Sequence, residues 1–109
     1  MAELVTTISI NSSGKYSYSP NSLTVTQPNT TLIYQLDEKT LVDWEIVGQT
    51  NTDSKQQITG ESKAPSGNFI SILNANTQAE VFSVTIVTQH RAQRDRLLRV
   101  DPDVENEPT

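Results

Sequence analysis

The stretch Glu80-Val81-Phe82-Ser83-Val84-Thr85-Ile86-Val87-Thr88 decides the fold. Valine, isoleucine and phenylalanine leave it few polar positions, the composition of a strand in the middle of a sheet. Working back from it, Asn74-Ala75-Asn76 is a turn and Asn68 to Leu73 is the strand that enters it. Gly48 to Gly67 is polar and loop-like, with room for a short edge strand around Gln56 to Thr59. Leu41 to Val47 reads as a strand, with Val42, Trp44 and Ile46 on one face and Leu41, Asp43, Glu45 and Val47 on the other.

The same reading extends to the start of the chain. Thr31 to Leu36 alternates through Leu32, Tyr34 and Leu36, after a turn at Gln27-Pro28-Asn29. Leu23 to Thr26 and Lys15 to Ser19 are short strands. Leu4 to Ile10 places Thr6, Ile8 and Ile10 on one face, ahead of the turn Asn11-Ser12-Ser13-Gly14. Beyond the central stretch, His90 to Arg96 has some helical or bulged character, and Leu97 to Val100 is a last strand. Seven or eight short strands separated by turn signals predict an all-β fold, a single antiparallel β-sandwich over residues 1–100. An acidic C-terminal tail, residues 101–109, follows it.

Size and composition bound the function. A chain of 109 residues suits one domain with a small core. A net charge of −5 lacks the basic footprint of a nucleic-acid partner. With no cysteine there is no disulfide and no thiolate nucleophile, which suits a reducing cytoplasm. Met1-Ala2-Glu3-Leu4 lacks the basic start of a signal segment, and no apolar run reaches the length of a membrane span. The expectation is a soluble cytoplasmic protein with neither membrane nor nucleic acid as partner.

The run Tyr16-Ser17-Tyr18-Ser19-Pro20-Asn21-Ser22-Leu23-Thr24-Val25, followed by Gln27-Pro28-Asn29-Thr30-Thr31-Leu32, resembles the opening of cupredoxin-like sandwiches, a subset of the immunoglobulin-like shape. The resemblance implies topology alone. A blue-copper centre needs a cysteine and two histidines, whereas this chain has no cysteine and one histidine. No cofactor and no metal are expected.

Most of the residues that bear on chemistry lie in the last fifth of the chain. All four arginines, Arg91, Arg94, Arg96 and Arg99, directly precede the acidic set Asp101, Asp103, Glu105 and Glu107. The tail either frays or pairs with this arginine stretch, in its own chain or in another copy. His90 is either a strand-end histidine or a general acid for a leaving nitrogen. Asp43 and Glu45 share a strand face, where they are either solvated or hold one proton between them. Asp101-Pro102 is chemically the weakest bond in the chain. An aspartate carboxylate attacks its own carbonyl carbon, and a protonated proline nitrogen leaves readily.

The pairing of Asp101-Pro102 with Glu107-Pro108 at the end of a small all-β chain resembles the DP-EP family of bacterial proteins. That resemblance implies a self-cleaving, self-assembling endopeptidase that cuts its own Asp101-Pro102 bond. Asp101 is then the reacting carboxylate and Pro102 the leaving group. Asp103, Glu105, Arg99, His90 and Asp43 are candidate supporters. The same carboxylate could instead activate a water. The family also implies a link from the freed aspartate to a lysine, and here no lysine follows Lys63. The alternative is a non-catalytic sandwich module whose tail docks on itself or on a partner by strand addition.

Overall fold

The computed structural model describes residues 2–108, so Met1 and Thr109 lie outside it. Ten strands and one short helix follow in the order β1 (Glu3–Ile10), β2 (Tyr16–Ser19), β3 (Ser22–Val25), β4 (Thr30–Leu36), α1 (Glu38–Asp43), β5 (Trp44–Asn51), β6 (Ile58–Lys63), β7 (Phe69–Asn74), β8 (Glu80–His90), β9 (Leu97–Val100) and β10 (Asp103–Asn106). One sheet has the order β2-β1-β4-β7-β6, and the other β3-β10-β8-β5 with β9 also paired to β8. Both sheets turn alternate residues into one core. Ile8, Leu32, Tyr34, Ile70 and Ile72 come from the first, and Val25, Ile46, Val84, Ile86, Val100 and Val104 from the second.

The chain is thus nearly all β, but it is not all antiparallel and it has more strands than expected. β1 runs parallel to β4, and β3 runs parallel to β10. Neither parallel pair joins consecutive strands, so sequence spacing held no sign of them. Lys15 to Ser19, Leu23 to Thr26, Thr31 to Leu36 and Asn68 to Leu73 match β2, β3, β4 and β7 to within about a residue.

Two segments depart from their expected form. Leu41 to Val47 is not one strand. Asp37 caps a helical turn by accepting from the Thr40 amide at 2.9 Å, and the helix ends at Asp43 before β5 begins. An acidic N-cap followed by Glu38 in the first turn outweighs the apolar alternation there. Trp44 and Ile46 are buried as expected, while Val42 is 73% exposed. The region 48–67 holds more strand than its polarity suggested. β5 runs on to Asn51, and β6 occupies 58–63 as an edge strand paired to β7. An edge strand is held by its backbone ladder and need not bury side chains, so its polar sequence was uninformative. Gln56, expected inside that strand, has φ of +56° and belongs to the preceding turn. His90 ends β8, and residues 91–96 form bends and turns with no helix.

Candidate functional site: the Asp101-Pro102 bond

β9 and β10 are two halves of one strand. Ile86 lies opposite Val100 and Ser83 opposite Asp103. The antiparallel register therefore continues unbroken across the gap, with Thr85 opposite Asp101 and Val84 opposite Pro102. The Val84 amide donates to the Pro102 carbonyl at 2.9 Å, which is the ladder bond expected at that position. The pair should be reciprocal, with the Pro102 nitrogen donating back to the Val84 carbonyl. Proline has no hydrogen to give. The bond expected to react thus sits within a sheet at a point where the ladder lacks a donor.

Burial alternates through this strand without a slip. Val100, Pro102, Val104 and Asn106 face the core, while Arg99, Asp101, Asp103 and Glu105 face solvent. The structure therefore brings Arg99, Asp103 and Glu105 onto the face of Asp101, as sequence parity requires. Two hydroxyls of β8 meet the carboxylates across the strand pair. Thr85 Oγ1 donates to Asp101 Oδ1, and Ser83 Oγ donates to Asp103 Oδ1 at 2.9 Å. Sequence reasoning missed both. They sit on the strand that the sequence marked most clearly, but their partners follow only from the register.

Tyr18 was missed as well. Its ring packs against the core from β2. Burial is the main cause that raises its phenol above the ordinary tyrosine range, and the negative charges of Tyr16, Asp103 and Asp101 add to it. A phenol so placed stays protonated and is a hydrogen-bond donor within electrostatic reach of both carboxylates. The chain passes from β2 to β3 at Ser19-Pro20, whose peptide bond is cis.

His90 and Asp43 are not at this site. His90 lies five residues along β8 from Thr85, roughly 17 Å at the rise of a strand. Its ring meets Trp44 edge-on at 5.1 Å, and its Nδ1 accepts from the amides of Ala92 and Gln93. Asp43 ends α1, and its carbonyl accepts from the Arg91 amide at 2.7 Å. Both line a cavity of about 430 Å³ together with Asp37, Trp44 and Arg96. Asp43 and Glu45 also part company, because the helix ends between them; Glu45 pairs with Arg91 at 3.2 Å. The arginines do not clasp the acidic residues as a set. Arg96 lies over the Trp44 ring at 5.3 Å. Among the described residues, no group of three or more acidic, histidine or cysteine side chains is arranged to hold a metal ion.

The DP-EP family model matches residues 2–108. The chain belongs to the DP-EP family. No curated protein matches this DP-EP chain. Its Asp101-Pro102 bond lies in the sheet between β9 and β10, and its Glu107 amide donates to the Val25 carbonyl at 2.8 Å, so ladder pairing extends almost to Pro108. No helix among the described residues is long and apolar enough to cross a membrane.

Proposed function

We propose that this DP-EP protein hydrolyses its own Asp101-Pro102 bond. The observation that carries the reading is the position of that bond, in register within a sheet, with the Asp101 carboxylate held by Thr85 and no ladder donor on Pro102. We take the two packed sheets as an immunoglobulin- or cupredoxin-like sandwich and the cytoplasm as its location.

Magnitudes decide where the rate enhancement must come from. A missing ladder hydrogen bond is worth about 1 kcal/mol. Released in full at the transition state, that is less than a tenfold gain in rate. Ground-state destabilisation is therefore a minor part, and the carboxylate must supply most of the catalysis. Asp101 attacks its own carbonyl carbon to give a cyclic anhydride, or it takes a proton from an attacking water. Thr85 fixes the carboxylate rotamer. The leaving Pro102 nitrogen takes its proton from the Asp101 carboxyl or from water.

A cross-link to lysine has less to support it. Lys55 Nζ donates to the Ala79 carbonyl at 3.0 Å, just before β8 and about 20 Å along it from Thr85. Lys63 donates to the Ala64 carbonyl at 3.4 Å. We assign the reaction to water.

Intact mass under denaturing conditions tests the proposal. After days at neutral and mildly acid pH, the native chain should resolve into residues 1–101 and 102–109, and Asp101→Asn should stay whole. A native chain that keeps its full mass while its sheet signal persists would sink the reading.

A further inference from the structure

The cavity of about 430 Å³ beside His90 has no part in the cleavage reading. Its volume falls within the range of small-ligand sites, about 300–1,000 Å³. It lies where the turn after β1, the helix α1, the first residue of β5 and the last of β8 meet. Trp44, the single tryptophan of the chain, forms its apolar wall and is 3% exposed.

Arg96 is placed at this cavity without using its donors. Its guanidinium lies over the Trp44 ring at 5.3 Å. The His90 amide donates to the Arg96 carbonyl at 3.0 Å, which closes the hairpin and fixes the arginine backbone. The side chain also lies against the turn after β1, where a Cβ on Gly14 would stand 2.5 Å from Nη2. Gly14 has φ of +82°, so glycine suits both the turn and the close approach. Among the described residues, Arg96 has no ion pair. Its planar fork of N–H groups is left for a ligand. His90 adds a donor. Its Nδ1 accepts from the amides of Ala92 and Gln93, so the ring proton sits on Nε2.

The charged lining is balanced, with Lys39 and Arg96 against Asp37 and Asp43. Asp37 is already engaged, because Ser9 and the Thr40 amide donate to its two oxygens. Asp43 is not. Among the described residues, its carboxylate has no ion pair. The cavity therefore holds an unpaired guanidinium and an unpaired carboxylate that do not reach each other.

We propose that this cavity binds a small zwitterion of the amino-acid or dipeptide class. Arg96 takes the ligand carboxylate, with Lys39 and His90 Nε2–H beside it, and Asp43 takes the ligand ammonium. A carboxylate is planar and matches the guanidinium fork. A phosphate dianion would face two carboxylates. A neutral sugar would need an open aromatic face to stack on, and Trp44 is covered. The site does not depend on cleavage of the Asp101-Pro102 bond.

The single tryptophan makes the proposal measurable. L-alanyl-L-alanine is titrated into the freshly prepared full-length protein at neutral pH, followed by Trp44 emission and by backbone amide chemical shifts. The expected result is one saturable transition, with shifts confined to residues 9–14, 37–44 and 89–97. Absence of saturation, or shifts centred elsewhere, overturns the proposal. N-acetyl-L-alanine keeps the carboxylate and lacks the ammonium, and L-alaninamide does the reverse. Each loses a charge-assisted contact and should bind at least tenfold more weakly than the dipeptide. Inorganic phosphate that binds as tightly as the dipeptide would contradict the ligand class. Two variants then assign the ends. Arg96→Gln should weaken the dipeptide at least tenfold and leave L-alaninamide unchanged. Asp43→Asn should weaken the dipeptide to the same degree and leave N-acetyl-L-alanine unchanged. Equal losses for all the ligands would show that these residues do not meet the two ends. The analogues decide the ligand class on the native chain, whatever the stability of either variant.

Discussion

Asp101 and Asp103 differ by two positions, share a face and each accept from a hydroxyl of β8. What separates them is the residue that follows. Pro102 offers a leaving nitrogen, and Val104 offers an ordinary amide. Thr85→Val therefore removes the group that fixes the reacting carboxylate while leaving its bond intact. Misplacement of a catalytic group by about 1 Å costs up to a hundredfold, so intact-mass time courses should show cleavage slowed by about ten- to a hundredfold. Ser83→Ala, which frees Asp103, should change the rate less than threefold. Equal effects of the two would mean that Thr85 does not position Asp101.

At the scale of elements, the sequence shows strands better than it shows partners. The β-branched run of β8 and the alternation of β1 and β4 were legible because burial on one face imposes a period of two. The same period puts Arg99, Asp103 and Glu105 beside Asp101, but only once β9 and β10 are known to be strands. The helix α1 was not, because one N-cap contact at Asp37 overrode an apolar alternation through Leu41 and Val42. β10 was hidden by composition. Its outward residues are acidic, and its inward ones include a proline and an asparagine, so it reads as a tail until register supplies Val84 and Asn74 as neighbours. The Asn74–Asn106 pair, whose amides exchange two hydrogen bonds at 2.7 and 3.1 Å, gives this a measurable consequence. Removing one buried amide strands the other, at about 1–3 kcal/mol. Asn74→Ala and Asn106→Ala should each lower stability in urea by about that amount. The double variant should lose clearly less than the sum, because no amide is then left unpaired. Additive losses would show that the amides do not depend on one another.

For the whole molecule, stability should fall at both ends of the pH scale, for different reasons in different places. Asp37 and Asp53 set the acid limit. Burial works against their charged forms, but it is outweighed in Asp37 by hydrogen bonds from Ser9 and Thr40. In Asp53 it is outweighed by the backbone amides of Ile58 and Lys55, which donate to its carboxylate at 2.9 and 3.0 Å. Both carboxyls are held below the usual range. Their contribution is present above the unfolded value near 4 and is lost as pH falls through the depressed folded values. Tyr34 sets the alkaline limit. It is fully buried, its hydroxyl has no partner among the described residues, and desolvation pushes its ionisation far above the ordinary tyrosine range. The folded state keeps this proton while the unfolded chain gives it up near pH 10. Stability is therefore lost as pH rises beyond that point, by roughly 1.4 kcal/mol per pH unit. Urea midpoints between pH 8 and 12 should be flat to about pH 10 and then decline. Tyr34→Phe removes the titrating group and a buried hydroxyl that makes no hydrogen bond. Its midpoint should match or exceed the native one at pH 8, and the decline above pH 10 should be shallower. An alkaline slope unchanged by Tyr34→Phe would assign the loss to another group.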